Sequence, residues 1–208
     1  MTLAVAQGVI ASSESRVVVG LGATGLSCAR YLHARGLAFT VADTRPCPPG
    51  LDALQREMPD VAIYAGDIPA DLLIAATELI VSPGISPVDP LLADAVAAGA
   101  RIVGDIDLFM REARAPVVGI TGSNAKSTVT ELVGAMARCS DVTVGVGGNL
   151  GTPALALLDD DVSLYVLELS SFQLERAGNL GLAVACVLNV SPDHLDRHGS
   201  MPRYHQAK

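Results

Sequence analysis

Two apolar runs, RVVVG at 16–20 and VVGI at 117–120, each break into a turn of small residues and then into a helix-like stretch. A strand that passes so quickly into a helix cannot close a hairpin with the strand that follows. The chain must return by a crossover, which sets the strands parallel. Further short apolar runs keep the alternation going: FTVAD at 39–43, VAIYAG at 61–66, ELIVSP at 78–83 and ARIVGD at 100–105. Helical patterns such as LSCARYLHARG, closed by Gly36 as a stop signal, and DPLLADAVAAG at 89–99 separate them. After DLFMREARAP at 107–116, with its charge cluster and Pro116, the pattern begins again. Helix KSTVTELVGAMARC, strand VTVGVGG, helix TPALALL and strands LYVLELS and LAVACVLNV follow in order. The chain is expected to be α/β, with one doubly wound parallel sheet over residues 1–112 and a second α/β unit over 113–208.

Composition narrows the partners. The 208 residues carry 14 Lys and Arg against 22 Asp and Glu, a formal charge of −8, with no Trp, four Tyr and three Phe. Clustered cations supply most of the affinity for nucleic acid, and aromatic platforms hold single strands, so no nucleic-acid partner is expected. Half the residues are hydrophobic. Every apolar run is nevertheless interrupted before the roughly 20 residues a membrane helix needs, so no membrane span is expected. The opening MTLAVAQGVIASSESR has no basic residue before Arg16 and lacks the positive flank of a secretory signal; a cytoplasmic protein is expected. Cys28, Cys47, Cys139 and Cys186 form no CxxC pair and read as reduced, structural thiols.

Four constellations carry chemistry. Gly20-Leu21-Gly22-Ala23-Thr24-Gly25 follows a strand and opens a helix, and Asp43 ends the next strand. Glycines there let the backbone approach a diphosphate at a helix N-terminus, and the carboxylate can meet a ribose or a base. A glycine turn that merely packs a helix on a sheet is the alternative. Thr121-Gly122-Ser123-Asn124-Ala125-Lys126-Ser127-Thr128 again joins strand to helix, suited to amides and Lys on phosphates and hydroxyl on Mg²⁺. It departs from the usual P-loop by holding Ala125 and Ile120 where glycines are customary, and a capped helix with an exposed lysine remains open. Glu168, at the end of LYVLE, suits a Mg²⁺ ligand. The loop Asn189-Val190-Ser191-Pro192-Asp193-His194-Leu195-Asp196-Arg197-His198 gathers Asp, His and Arg, as either a functional or a self-capping loop.

Together these motifs resemble the Mur ligases, most closely the members that add D-glutamate. The resemblance spans the whole chain. GLGATGLS, DTR (43–45) and SPGIS (82–86) are similar to the family's N-terminal Rossmann-like domain. TGSNAKST, GGNLGTPAL (147–155), ELSSFQLE (168–175) and DHLDRH (193–198) are similar to the first part of its P-loop-type ATPase domain. The resemblance implies an ATP-dependent, ADP-forming carbon–nitrogen ligase of peptidoglycan precursor synthesis. ATP phosphorylates the carboxylate of UDP-N-acetylmuramoyl-L-alanine, and the amino group of D-glutamate attacks the acyl phosphate.

It also implies roles. Gly22, Ala23, Thr24, Asp43, Thr44, Arg45, Ser82 and Gly84 are expected at uridine and diphosphate, and Asn149 and Ser170 at the muramoyl part. Gly122 to Thr128 would line ATP, with Lys126 on its phosphates. Ser127 and Glu168 match the first Mg²⁺ site, and His194 belongs to the second. Lys208 aligns with the lysine that the family carbamylates to hold that second metal, a change that makes a cation into an oxygen ligand.

Nothing in the 208 residues corresponds to the family's third domain, which receives D-glutamate, so the chain is expected to bind the UDP substrate and to be inactive alone; a monomer is expected. The family usually has Gly at the position of Ala125. With the surrounding motif intact, a negative φ is expected there. Two rival readings remain open: an NAD(P)-dependent oxidoreductase resting on the first motif, and a non-enzymatic module that senses ATP.

Overall fold

The structure is a computed structural model that describes residues 14–149 and 151–208. The opening stretch read for a targeting signal, through residue 13, and Leu150 of GGNLGTPAL lie outside the described residues.

The first half runs β1 (Arg16–Val19), α1 (Ala23–Ala34), β2 (Thr40–Asp43), α2 (Leu51–Glu57), β3 (Ile63–Ala65), α3 (Ala70–Ile74), β4 (Glu78–Val81), α4 (Pro90–Ala97) and β5 (Arg101–Val103). Its five strands are parallel in the order β3-β2-β1-β4-β5. The chain leaves β1 towards β2 and later returns to β4 on the other side, so the order reverses between β1 and β4. Ligands of such sheets bind outside the carboxyl ends of those two strands. β1 and β4 are covered on both faces, which is why they read as unbroken aliphatic runs.

Local chemistry sets the ends of the helices. The Asp89 carboxylate accepts from the Leu91 amide and Pro90 opens α4. Gly36 takes a φ of 64°, and the Leu37 amide reaches the Leu32 carbonyl to close α1, as the stop signal predicts.

The second half begins after α5 (Asp105–Glu112). It continues through β6 (Val117–Thr121), α6 (Lys126–Cys139), β7 (Val144–Gly148), a 3₁₀ turn at Ala154–Leu157, β8 (Leu164–Glu168), α7 (Ser171–Leu174), β9 (Val184–Val187), α8 (Leu195–His198) and α9 (Met201–Ala207). This sheet too is all parallel, in the order β7-β8-β6-β9. The expected helix TPALALL shrinks to the 3₁₀ turn, because Pro153 precedes it and Asp159–Asp161 end its apolar run two residues later.

The charge cluster at 107–116 is more than a connection. It is α5, which buries Leu108 and Phe109, and the Phe109 ring meets Tyr165 of β8 edge-on with centroids 5.0 Å apart. One apolar cluster consequently runs from Val18, Leu32 and Ile80 of the first half to Leu155, Tyr165 and Leu167 of the second. The four cysteines are free, and only Cys28 is buried. Among the described residues no helix is long and apolar enough to cross a membrane.

Candidate functional site

The glycine turn after β1 can be built only from glycine at its third position. A Cβ on Gly25 would lie 1.8 Å from the Gly20 carbonyl oxygen, so α1 starts hard against the end of the strand. Asp43, at the end of β2, fixes the same turn. Its carboxylate accepts from the Leu21 amide (2.6 Å), the Arg45 amide (2.8 Å) and the Arg45 guanidinium (2.9 and 2.6 Å). Burial pushes this carboxyl up, but the bonds from Arg45 and Leu21 outweigh it and hold the pKa at about 2. Four bonds fill the lone pairs of a carboxylate. Arg45, half exposed, is therefore the group that Asp43 presents to a ligand.

After β4, the Ser82 hydroxyl donates to the Gly20 carbonyl (2.8 Å), tying the two loops at the reversal point together. A cleft of about 480 Å³ opens there. Its walls include all ten residues expected at the UDP substrate: Gly22, Ala23, Thr24, Asp43, Thr44, Arg45, Ser82 and Gly84 from the first half, Asn149 and Ser170 from the second. Sequence reasoning missed Phe172 and Gln173, which also line it. They lie inside ELSSFQLE, where Gln173 completes a capping box with Ser170 and donates to the buried Asp105 across the two halves (2.8 Å).

Beyond Asn149 lies the second turn. The Asn149 amide nitrogen donates to Glu168 Oε1 (2.8 Å), and the Ser127 hydroxyl donates to Glu168 Oε2 (2.7 Å). Register explains the meeting: Ile120 of β6 stands opposite Glu168 of β8, and Ser127 opens the helix one short loop later. The loop is braced by Asn189, whose side chain accepts from the Asn124 amide (2.9 Å) and donates to the Asn124 carbonyl (3.0 Å).

Lys126 Nζ donates to the Ser123 carbonyl (3.1 Å). Lys208 reaches the same loop from α9, donating to Thr121 Oγ1 (3.0 Å) and the Gly122 carbonyl (2.9 Å). Burial first, then the nearby Lys126 charge, lowers its pKa to about 8 against partial support from Asp193 and Glu168. Tyr204 holds α9 in place. Its hydroxyl meets Ser123 Oγ at 2.8 Å, and its ring lies 5.2 Å from Lys208 Nζ. The i, i+4 spacing of Tyr204 and Lys208 on one helix face was the signal available for it.

One expectation is overturned. Ala125 takes φ 64° and ψ 7°, in the left-handed region, not a negative φ. It caps α6, where the chain turns from β6 into the helix, and the bonds between Asn189 and the neighbouring Asn124 backbone hold the turn against the strain of the Ala125 Cβ.

His194 caps α8, also with positive φ (49°), and lies half exposed with its ring centroid 4.8 Å from that of Phe172. It makes no polar contact with Glu168 or Lys208; its polar neighbour is Asp193, at 3.5 Å. Among the described residues no three His, Cys, Asp or Glu side chains converge tightly enough to hold a metal on their own. His198 of the same loop points inward, buried, with Nε2 3.0 Å from Ser171 Oγ.

Residues 14–104 match the family model for the Mur ligase MurD-like N-terminal domain, and residues 120–208 match that for the Mur ligase middle domain. The UDP-N-acetylmuramoylalanine--D-glutamate ligase of Pseudomonas aeruginosa is 60% identical over 199 residues, covering 96% of this chain and 44% of that protein. The enzyme of the same name from Marinobacter nauticus is 56% identical over 200 residues, 96% of this chain and 45% of its own length. The chain thus spans less than half the length of these relatives. Among solved structures, the UDP-N-acetylmuramate:L-alanyl-gamma-D-glutamyl-meso-diaminopimelate ligase of Neisseria meningitides shares the fold. It has a TM-score of 0.60 at 14% identity, over 93% of this chain and 66% of that one. Two domain models in their expected order, and relatives this similar along nearly the whole chain, establish that it belongs to the Mur ligase family and carries the family's N-terminal and middle domains.

Proposed function

We propose that this chain is the part of an ATP-dependent ligase that binds UDP-N-acetylmuramoyl-L-alanine and ATP so that D-glutamate can be joined to the substrate carboxylate. The observation that carries it is the shared position of Asn149. One face of this residue lines the cleft, and its side chain bonds the carboxylate that also holds Ser127. A substrate lying along the cleft brings its far end to the phosphate loop.

In this reading residues 1–112 hold uridine and diphosphate through Thr24, Arg45 and the Ser82–Gly84 loop, and residues 113–208 hold ATP. Asp43 supports Arg45 and the glycine turn. The Ser127 hydroxyl and Glu168 carboxylate are hard oxygens 2.7 Å apart, the sparse donor set that Mg²⁺ takes when phosphates complete its shell. Mg²⁺ held by these two residues would supply positive charge against the negative charge that phosphoryl transfer spreads over phosphate oxygens. Lys126, resting on a loop carbonyl, needs only a rotamer change to reach a phosphate. Lys208 lies on the same loop, where a carbamate would add oxygen donors for a second metal, and His194, from the 189–198 loop, would supply one nitrogen to it.

The oxidoreductase reading loses its main support, because Asp43 is saturated by Leu21 and Arg45 and has no lone pair free for a ribose. Calorimetric titration of the 208-residue chain with UDP-N-acetylmuramoyl-L-alanine, with NADH in parallel, tests the proposal. Saturable binding of the UDP compound, weakened by Arg45→Ala, is expected. Binding of NADH alone would overturn it.

A further inference from the structure

Arg197 joins the two walls of the cleft. It lies in α8, three residues after His194, yet its guanidinium reaches the first half of the chain. There it donates to the Gly84 carbonyl (3.2 Å) and the Ile85 carbonyl (2.9 Å). On its own side it stands 3.3 Å from a Glu175 carboxylate oxygen and 4.9 Å from the centroid of the Phe172 ring. The side chain is only 14% exposed. A planar fork of donors with an aromatic face beside it is what guanidinium offers and ammonium does not.

The partners are what give these contacts meaning. Gly84 and Ile85 belong to the loop after β4 that forms one wall of the cleft, and Phe172 belongs to the other. That loop is tied to the glycine turn through Ser82, so the first wall is braced within itself and Arg197 adds only its link to the second wall. The same Phe172 ring lies against His194. One side chain therefore sets the distance between the walls and braces the aromatic ring on which His194 rests.

We propose that Arg197 is a positioning residue that holds the cleft at the width a wall-to-wall ligand needs, so that a UDP-sugar carrying an acyl amino acid meets both halves already in register. The inference rests on the reading given under Proposed function. Its physical content is a split between ligands. One that spans the cleft must otherwise draw the walls together at the expense of its own binding energy. A ligand confined to the Thr24, Thr44 and Arg45 end meets only the first wall and is indifferent to the clamp.

The test is calorimetry on the 208-residue chain with UMP and with UDP-N-acetylmuramoyl-L-alanine, for the native protein, Arg197→Ala and Arg197→Lys, with thermal melts alongside. Removing two hydrogen bonds from a charged donor should weaken the full substrate roughly tenfold. UMP affinity should stay within about twofold. Arg197→Lys keeps the charge near Glu175 but cannot fork to both carbonyls, and falls between. Equal weakening of both ligands, or of neither, overturns the inference. If Arg197→Ala does not fold, the same split in Arg197→Lys decides alone. Failure of the native chain to bind either ligand would show before any substitution is made, and would remove the functional reading and this inference with it.

Discussion

Lys126 and Lys208, the only lysines in the chain, donate to adjacent carbonyls of one loop, Ser123 at 3.1 Å and Gly122 at 2.9 Å. Burial of Lys208, and second to it the nearby Lys126 charge, disfavours the charged form of Lys208, and its pKa falls to about 8 from the usual 10.5. The folded chain then binds fewer protons than the unfolded one between those values, so this group's contribution to stability rises with pH across that window. Below pH 8 its buried charge opposes folding.

A neutral amine is what attacks CO₂. Its lone pair forms the N–C bond, a C=O pair moves to oxygen, and the ammonium proton leaves to water. In ¹³C-bicarbonate we expect a carbamate resonance that grows from pH 7 to pH 8. It should be absent in Lys208→Arg and retained in Lys126→Arg. A signal that survives Lys208→Arg unchanged would place the reaction on another amine and refute the assignment.

Ala125 at φ 64° predicts that its replacement by glycine stabilises the protein. Relief of a left-handed Cβ is worth about 1–2 kcal/mol, and the added freedom of glycine in the unfolded chain takes back about 0.4–1. The net effect is a rise in Tm of about 1–3 °C for a chain of this size. A melt that moves downward in Ala125→Gly contradicts the left-handed assignment.

Gly25→Ala is expected to be among the most damaging single changes. The new methyl would occupy the Gly20 carbonyl oxygen, so β1 and α1 must separate, at about 3 kcal/mol or more. Urea unfolding with an unchanged midpoint would show that the helix can shift without strain.

Asp43 gives the acid limb of the stability curve. With its pKa held at about 2, against the usual 3.8, its contribution is complete above pH 4 and lost as pH falls towards 2. Asp43→Asn should flatten the loss of stability between pH 4 and 2. It should also weaken UDP-substrate binding at pH 7 by about tenfold, because Arg45 and the Leu21 amide lose their charged acceptor. Equal acid profiles for the two proteins would assign the limb to other carboxylates.

The parts of the molecule that were legible beforehand share one property: neighbours in the chain decide them. Strand β1, the turn at Gly20–Gly25 and helix α1 follow from one unbroken stretch of chain, and so do β6, the phosphate-like loop and α6. The TPALALL turn was misread because a proline and three aspartates outweighed its helical pattern. Ala125 was misread because the residue itself prefers negative φ, and what reverses that preference is the path from β6 into α6 and the grip of Asn189, 64 residues away.

Sequence alone determined the alternation of strand and helix, the parallel sheets it forces, and which loops carry glycine, lysine, serine and acid, since these are matters of side-chain pattern and local backbone sterics. Only the tertiary structure decided that Asp43 spends its lone pairs on Arg45 and Leu21, that Ser127, Asn149 and Glu168 meet, that Lys208 lies on the Gly122 turn and that Arg197 spans two walls. Most of these contacts join residues separated by tens of positions in the chain, and such distances close only when parallel strands are laid side by side in a particular register.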